Sequence, residues 1–193
     1  MDFYSFAKGV VASILKPLYR VEVIGVEQFP KEGGVLLCSN HISNLDPPIV
    51  GITAPRPIHF MAKEELFHVP VLKHLLPPLH AFPVKRGMSD RQALRIGLDV
   101  LKQGNVLGIF PEGTRSKDGK LQKGLSGVGF FALRTNAAVV PCAIIGPYRP
   151  FKKLKVVYGT PIDMEPFRER KASPEEVTDY IMSHIQALLD EHQ

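Results

Sequence analysis

Apolar residues follow two rhythms along this chain. Phe3, Phe6, Ala7, Val10, Val11, Ile14, Leu15 and Leu18 recur at the three-to-four-residue spacing of one helical face. That spacing predicts an amphipathic helix over residues 2–19. Pro17 lacks a backbone donor and should weaken the last turn. Beyond this helix the apolar residues gather into short runs. Residues 20–26, 34–39, 58–62, 79–84, 106–110, 138–145 and 154–158 read as strands. Several are apolar at successive positions, as strands covered on both faces must be.

Helical signals fall between the runs. Residues 89–103 carry Ser89 and Gln92 as a capping box and Gly104 as the stop. Residues 125–135 are a weaker helix, loosened by Gly127 and Gly129. The last helix has Ser173 as N-cap, Pro174 at its first position and Glu176 closing the box. Val177, Ile181, Ile185, Leu188 and Leu189 form its inner stripe. Strands alternating with helices predict an α/β fold, with a mostly parallel mixed sheet flanked by helices. Two regions follow: the amphipathic helix of residues 1–19 and one α/β domain over residues 20–193. Ligands of such folds bind beyond the carboxyl ends of the strands.

Composition narrows the partners. The chain has 193 residues, 45% of them hydrophobic and 22% charged, which suits a globular domain with its own core. Its net charge of +5 is unevenly placed. Residues 1–160 hold 21 basic and 11 acidic side chains, whereas residues 161–193 hold 3 and 8. A basic body suits an anionic membrane, a phosphorylated substrate or nucleic acid. The lack of an Arg/Lys-rich block or a known binding module sets nucleic acid aside. No run of 18 apolar residues occurs, so no spanning helix is expected, and no secretory signal is read at the N-terminus. Cys38 and Cys142 each sit in an apolar run, which predicts buried, reduced thiols. His59, His68, His74 and His80 lack metal-ligand spacing, so no metal is expected.

Three polar clusters each follow an apolar run directly. Asn40-His41-Ile42-Ser43-Asn44-Leu45-Asp46 follows the run ending at Cys38. Lys85-Arg86-Gly87 follows the one ending at Val84, and Pro111-Glu112-Gly113-Thr114-Arg115-Ser116 the one ending at Phe110. If these runs are parallel neighbours, a histidine, carboxylates and fixed cations meet at one edge of the sheet. A neutral imidazole accepts protons near neutral pH, and a carboxylate on its other nitrogen fixes its tautomer. Five residues apart, His41 and Asp46 need a loop-to-helix corner to meet, and Pro47 and Pro48 suit the first positions of that helix. Asp46 as a helix N-cap and His41 as a satisfied loop residue are the plain alternatives. No Gly-x-Ser-x-Gly elbow is present.

The clusters resemble a known family. Asn40-His41-(four residues)-Asp46 looks like the His-(four residues)-Asp motif of the glycerolipid acyltransferases. Phe82-Pro83-Val84-Lys85-Arg86, Phe110-Pro111-Glu112-Gly113-Thr114-Arg115-Ser116 and Val139-Val140-Pro141-Cys142-Ala143-Ile144 are similar to their second, third and fourth blocks, in family order. The resemblance implies a glycerol-3-phosphate acyltransferase-like fold. It also implies acyl transfer from a thioester to the sn-2 hydroxyl of lysophosphatidate, forming phosphatidate. His41 and Asp46 would be the catalytic pair. Lys85, Arg86, Glu112, Gly113, Thr114 and Arg115 would bind substrate, with a structural role open for Glu112. Lys123 and Gly124 are similar to a family Lys-Gly pair after the third block. No cofactor is implied beyond the donor, acyl-CoA or acyl carrier protein. Another acceptor, such as glycerol 3-phosphate, or a non-catalytic lipid-binding role stays open.

Two segments bear on lipid. Leu66, Phe67, Val69, Val71, Leu72, Leu75, Leu76 and Leu79 either border an acyl groove, dip into a bilayer, or pack into the core. Lys8, Lys16 and Arg20 beside the first apolar face suit a helix lying on anionic lipid, with docking onto the core as the alternative. A peripheral protein on the cytoplasmic face of the cell membrane is expected.

Overall fold

The computed structural model describes residues 2–85 and 90–193. In chain order its elements are α1 (Phe3–Leu18), β1 (Val21–Ile24), β2 (Val35–Ser39), α2 (Asp46–Thr53), β3 (Ile58–Lys63), α3 (Leu72–Leu75) and β4 (Ala81–Val84). They continue with α4 (Arg91–Lys102), β5 (Val106–Ile109), α5 (Gly127–Arg134), β6 (Ala138–Ile145), β7 (Leu154–Tyr158), α6 (Glu165–Glu169) and α7 (Pro174–His192). All seven expected strands form within a few residues of their expected bounds. Among the described residues they make one sheet in the order β1-β7-β6-β2-β5-β3-β4. Every pairing is parallel except β6 with β7.

β2 lies at the middle of the sheet and every one of its residues is buried. Leu36 and Cys38 face a core shared with Leu107, Phe131, Ile181 and Ile185, under α4, α5 and α7. Val35 and Leu37 face a second core with Ile49, Val106, Val140 and Tyr158, under α1 and α2. This two-sided cover explains the unbroken apolar runs. α5 approaches α7 so closely that a Cβ on Gly129 would lie 2.0 Å from the Pro174 carbonyl oxygen, so the glycine that weakens this helix is needed for its packing.

Two local expectations are corrected. Ser89 lies outside the described residues, and the cap of α4 is Asp90, whose carboxylate accepts from the Gln92 and Ala93 N–H groups. Ser173 does cap α7, but the Glu176 carboxylate pairs with Arg170 at 2.5 Å instead of closing the box. Pro17 is carried inside α1, which runs to Leu18.

α1 shows why its apolar face had two readings. Tyr4 is buried, and Val11, Ala12 and Leu15 pack on the core below the sheet. Phe3, Phe6, Val10 and Ile14 lie exposed on another side. Lys8 turns inward and donates to the Ala54 carbonyl at 2.5 Å, and burial lowers its pKa. Lys16 and Arg20 stay exposed. The apolar stretch between β3 and β4 is not core: none of residues 64–79 is buried, and Leu66, Val69, Val71 and Leu75 are exposed. No helix among the described residues is long and apolar enough to cross a membrane.

Candidate active site at the carboxyl ends of β2 and β5

Strand register builds the site. Val35 pairs with Val106 and Cys38 with Ile109, so the loops leaving β2 and β5 start side by side. His41 and Glu112 therefore arrive opposite one another. Glu112 Oε1 accepts the His41 backbone N–H at 2.7 Å, and the Ser116 N–H donates to the His41 carbonyl at 2.8 Å. On the other flank β2 pairs with β6, and the Asn40 side chain extends that pairing. Its amide donates to the Ile144 carbonyl at 2.9 Å and its oxygen accepts the Ile144 N–H at 2.7 Å. Both neighbours of β2 thus fix the backbone at His41.

The loop-to-helix corner forms as expected. Residues 40–45 leave the sheet and Asp46 opens α2, with Pro47 and Pro48 in the first turn. Asp46 Oδ2 lies 2.7 Å from His41 Nδ1. The same oxygen accepts the N–H groups of Ile42 at 2.6 Å and Ser43 at 2.8 Å. Oδ1 accepts the Tyr148 hydroxyl at 2.6 Å. Asp46 is fully buried. Its hydrogen bonds run to residues 41–43 and to Tyr148, none of them in α2, and the N-cap is Leu45, so Asp46 is not the cap of α2. The acceptor-only carboxylate makes Nδ1 the protonated nitrogen of His41. Nε2 then carries the lone pair. Phe110 stacks on the imidazole, ring centres 4.2 Å apart, and fixes its plane.

Glu112 is a clasp. Besides the His41 N–H it accepts the Gln122 N–H at 2.9 Å, so both oxygens hold backbone, and neither bonds an arginine among the described residues. Burial raises its pKa, and the two N–H donors oppose that shift. Gly113 has φ +66, and a Cβ there would lie 2.5 Å from Leu125, so the turn after Glu112 requires glycine. Thr114 and Arg115 follow, both exposed and free of hydrogen bonds and ion pairs among the described residues.

The cations do not all gather at His41. Lys85 directly follows β4, which lies two strands from β5 in the sheet order. Adjacent strands are spaced by about 4.8 Å, which separates those strands by about 10 Å. The Lys85 amine faces Glu64 at 3.7 Å and its N–H donates to Asp90. Arg86 lies outside the described residues. Lys123 is exposed, and Gly124 packs against Thr178 and Met182 of α7. Cys38 and Cys142 are free and buried, and burial pushes the Cys142 thiol up to about 12 and that of Cys38 higher still. Neither is a nucleophile near neutral pH.

Sequence reading missed three groups here. Asn40 and Phe110 are quoted within the motifs without a role of their own, and Tyr148 is not singled out. Tyr148 gave one usable signal: it follows β6 by three residues at the same sheet end.

A central parallel β2, a buried His–Asp pair at its carboxyl end and an exposed arginine on the adjoining loop make an α/β site suited to proton transfer beside an anion. Comparison with known proteins gives the family. A model of the Acyltransferase family matches residues 20–145. The chain is 31% identical to the 1-acyl-sn-glycerol-3-phosphate acyltransferase of Bacillus subtilis, over 97% of this chain and 99% of that one. It is 30% identical to the enzyme of the same name from Borreliella burgdorferi, over 65% of this chain and 51% of that one. The crystal structure of the 1-acyl-sn-glycerophosphate (LPA) acyltransferase from Thermotoga maritima superposes with a TM-score of 0.74 at 26% identity, covering all of this chain and 84% of that one. This chain belongs to the Acyltransferase family.

Proposed function

We propose that this protein transfers an acyl group from a thioester to the sn-2 hydroxyl of 1-acyl-sn-glycerol 3-phosphate, yielding phosphatidate. The observation that carries the reading is the 2.7 Å contact between His41 Nδ1 and Asp46, which leaves Nε2 as a base. Nε2 takes the proton of the acceptor hydroxyl as its oxygen attacks the thioester carbonyl. The new C–O bond forms, the tetrahedral intermediate collapses with cleavage of C–S, and the departing thiolate takes the proton back from Nε2. Asp46 stabilises the imidazolium between these steps. Direct attack needs no acyl-enzyme, in keeping with two thiols that stay buried and protonated. Arg115 supplies a guanidinium suited to bidentate phosphate binding. Lys85 adds charge farther along the same edge, and Arg86 joins it on the strength of the family motif alone. The donor is acyl-CoA or acyl carrier protein, which present the same thioester.

The exposed row Phe3, Phe6, Val10 and Ile14, with Lys16 and Arg20 beside it, suits a helix resting on anionic lipid. The exposed Leu66, Val69, Val71 and Leu75 give a second apolar surface for acyl chains or bilayer. Both surfaces support the reading of an enzyme peripheral to the cell membrane, on its cytoplasmic face. Deleting α1 would also strip buried Tyr4 from the core, so the test uses Phe6→Ser with Ile14→Ser. That variant should leave anionic vesicles in a co-sedimentation assay, and retained binding would refute the lipid contact.

Activity is tested by mixing the protein with lysophosphatidate and an acyl thioester and following free thiol. Wild type should release thiol and form phosphatidate. His41→Ala should lose about a thousandfold in kcat while staying folded. A fully active His41→Ala variant would remove the mechanism. Turnover with glycerol 3-phosphate but not lysophosphatidate would reassign the acceptor.

A further inference from the structure

The two oxygens of Asp46 are used unequally. Oδ2 gathers His41 Nδ1–H and the N–H groups of Ile42 and Ser43, whereas Oδ1 meets Tyr148. Turning about the Cβ–Cγ bond moves both oxygens of the planar carboxylate together, so any such turn would misdirect Oδ2. A donor on Oδ1 stops that rotation and fixes the direction from which Oδ2 meets the imidazole. Tyr148 is itself held. Its ring meets Tyr19 edge-on, centres 5.4 Å apart at 81°. The segment after it is fastened to the end of α1, where the Phe151 N–H donates to the Leu18 carbonyl at 2.6 Å and the Leu154 N–H to the Tyr19 carbonyl at 3.0 Å.

We propose that Tyr148 is a positioning residue for acyl transfer, acting through Asp46 to fix the plane of the carboxylate that orients His41. The inference rests on His41 being the base. Burial and the adjacent Asp46 carboxylate hold the phenol pKa far above its ordinary value, so Tyr148 stays a donor across the working pH range. The other titratable groups around the carboxylate are His41, Glu112 and Cys142, with Tyr19 behind the phenol. Cys142 is neutral at working pH, so the phenol and His41 are the side chains that donate to Asp46. The phenol also draws charge away from Oδ1. Its loss leaves more charge facing His41, makes the pair more basic and tightens the bond to Nδ1–H.

The test is Tyr148→Phe in the full chain, which keeps the ring and removes the donor. We expect kcat to fall about tenfold, with KM for acceptor and donor within about twofold of wild type. The acidic limb of the kcat/KM profile should move to higher pH, and the His41 Nδ1–H proton resonance should move downfield. In a double-mutant cycle, Tyr148→Phe should add nothing to the loss already caused by Asp46→Asn. An unchanged pH limb and unchanged imidazole proton would overturn the proposal, even if activity fell through loss of packing. Losses that multiply in the cycle would also overturn it. If wild type released no thiol with lysophosphatidate, the proposed function would fall, and the imidazole proton would still decide the role of Tyr148.

Discussion

His41 and Arg115 stand on adjoining loops and are treated in opposite ways by the fold. Glu112 and Ser116 hold both backbone groups of His41, Asp46 holds Nδ1 and Phe110 holds the ring plane. Nε2 is the atom left for chemistry. Arg115 is exposed and makes no ion pair among the described residues. The difference fits the roles proposed for the two residues. A base works only in one orientation, and fixing that orientation beforehand lowers the barrier. A phosphate-binding cation already paired to a carboxylate would first have to give that partner up, so an open guanidinium keeps its hydrogen bonds for the ligand.

The largest expected effect comes from removing the charge that holds His41. Asp46→Asn keeps the shape but offers an amide to a site lined with donors, and kcat should fall about a thousandfold, read by thiol release. A loss as large in KM would mean that the pair binds substrate as well. Next is Glu112→Gln, whose amide cannot accept from both His41 and Gln122 N–H groups. One buried donor is left unpaired, at a cost of about 1–3 kcal/mol seen as a lower Tm. The displaced His41 backbone should lower kcat about thirtyfold. An unchanged kcat there would show that the clasp is not needed for the base.

Arg115→Ala tests the open side. KM for lysophosphatidate should rise about tenfold with kcat little changed, measured over a full acceptor titration. A fall in kcat at constant KM would erase the contrast between the two loops. The smallest effect belongs to Asp90, which caps α4 and holds the Lys85 N–H at the far rim. Hydrogen bonds from the Ala93, Lys85 and Gln92 N–H groups keep its carboxyl below the ordinary value. Its stabilisation is therefore present above the unfolded pKa of about 4 and is lost as pH falls through the lower folded value. Asp90→Ala should melt below wild type near pH 6, with the gap closing toward pH 2. A constant gap would mean that the carboxylate does not act as a charged cap.

All seven strands and helices α1, α4, α5 and α7 were legible because their signals are local: apolar runs, helical spacing, and Ser, Pro or Gly at the ends. The caps were less legible. Asp90 and Ser89 are both good N-cap residues and adjacent, and only backbone geometry chooses between them. Residues 64–79 left groove, bilayer and core open because they are apolar, and only the fold shows that none of them is buried. α1 looked one-sided because Phe3, Phe6, Val10 and Ile14 sit close in projection to Ala7, Val11, Leu15 and Leu18, yet the helix covers only part of that arc with protein.

The sequence by itself determined the strand-helix order, the corner at Asp46 and the residue types at the site, since each depends on neighbours within a few positions. Tertiary structure decided which of them meet. Parallel register between β2 and β5 set Glu112 against the His41 backbone, 71 residues away in the chain. The turn after β6 brought Tyr148 to Asp46 across 102 residues. Sheet order kept Lys85 two strands away from β5. Contacts over such separations are fixed by strand pairing and burial, and no local pattern encodes them.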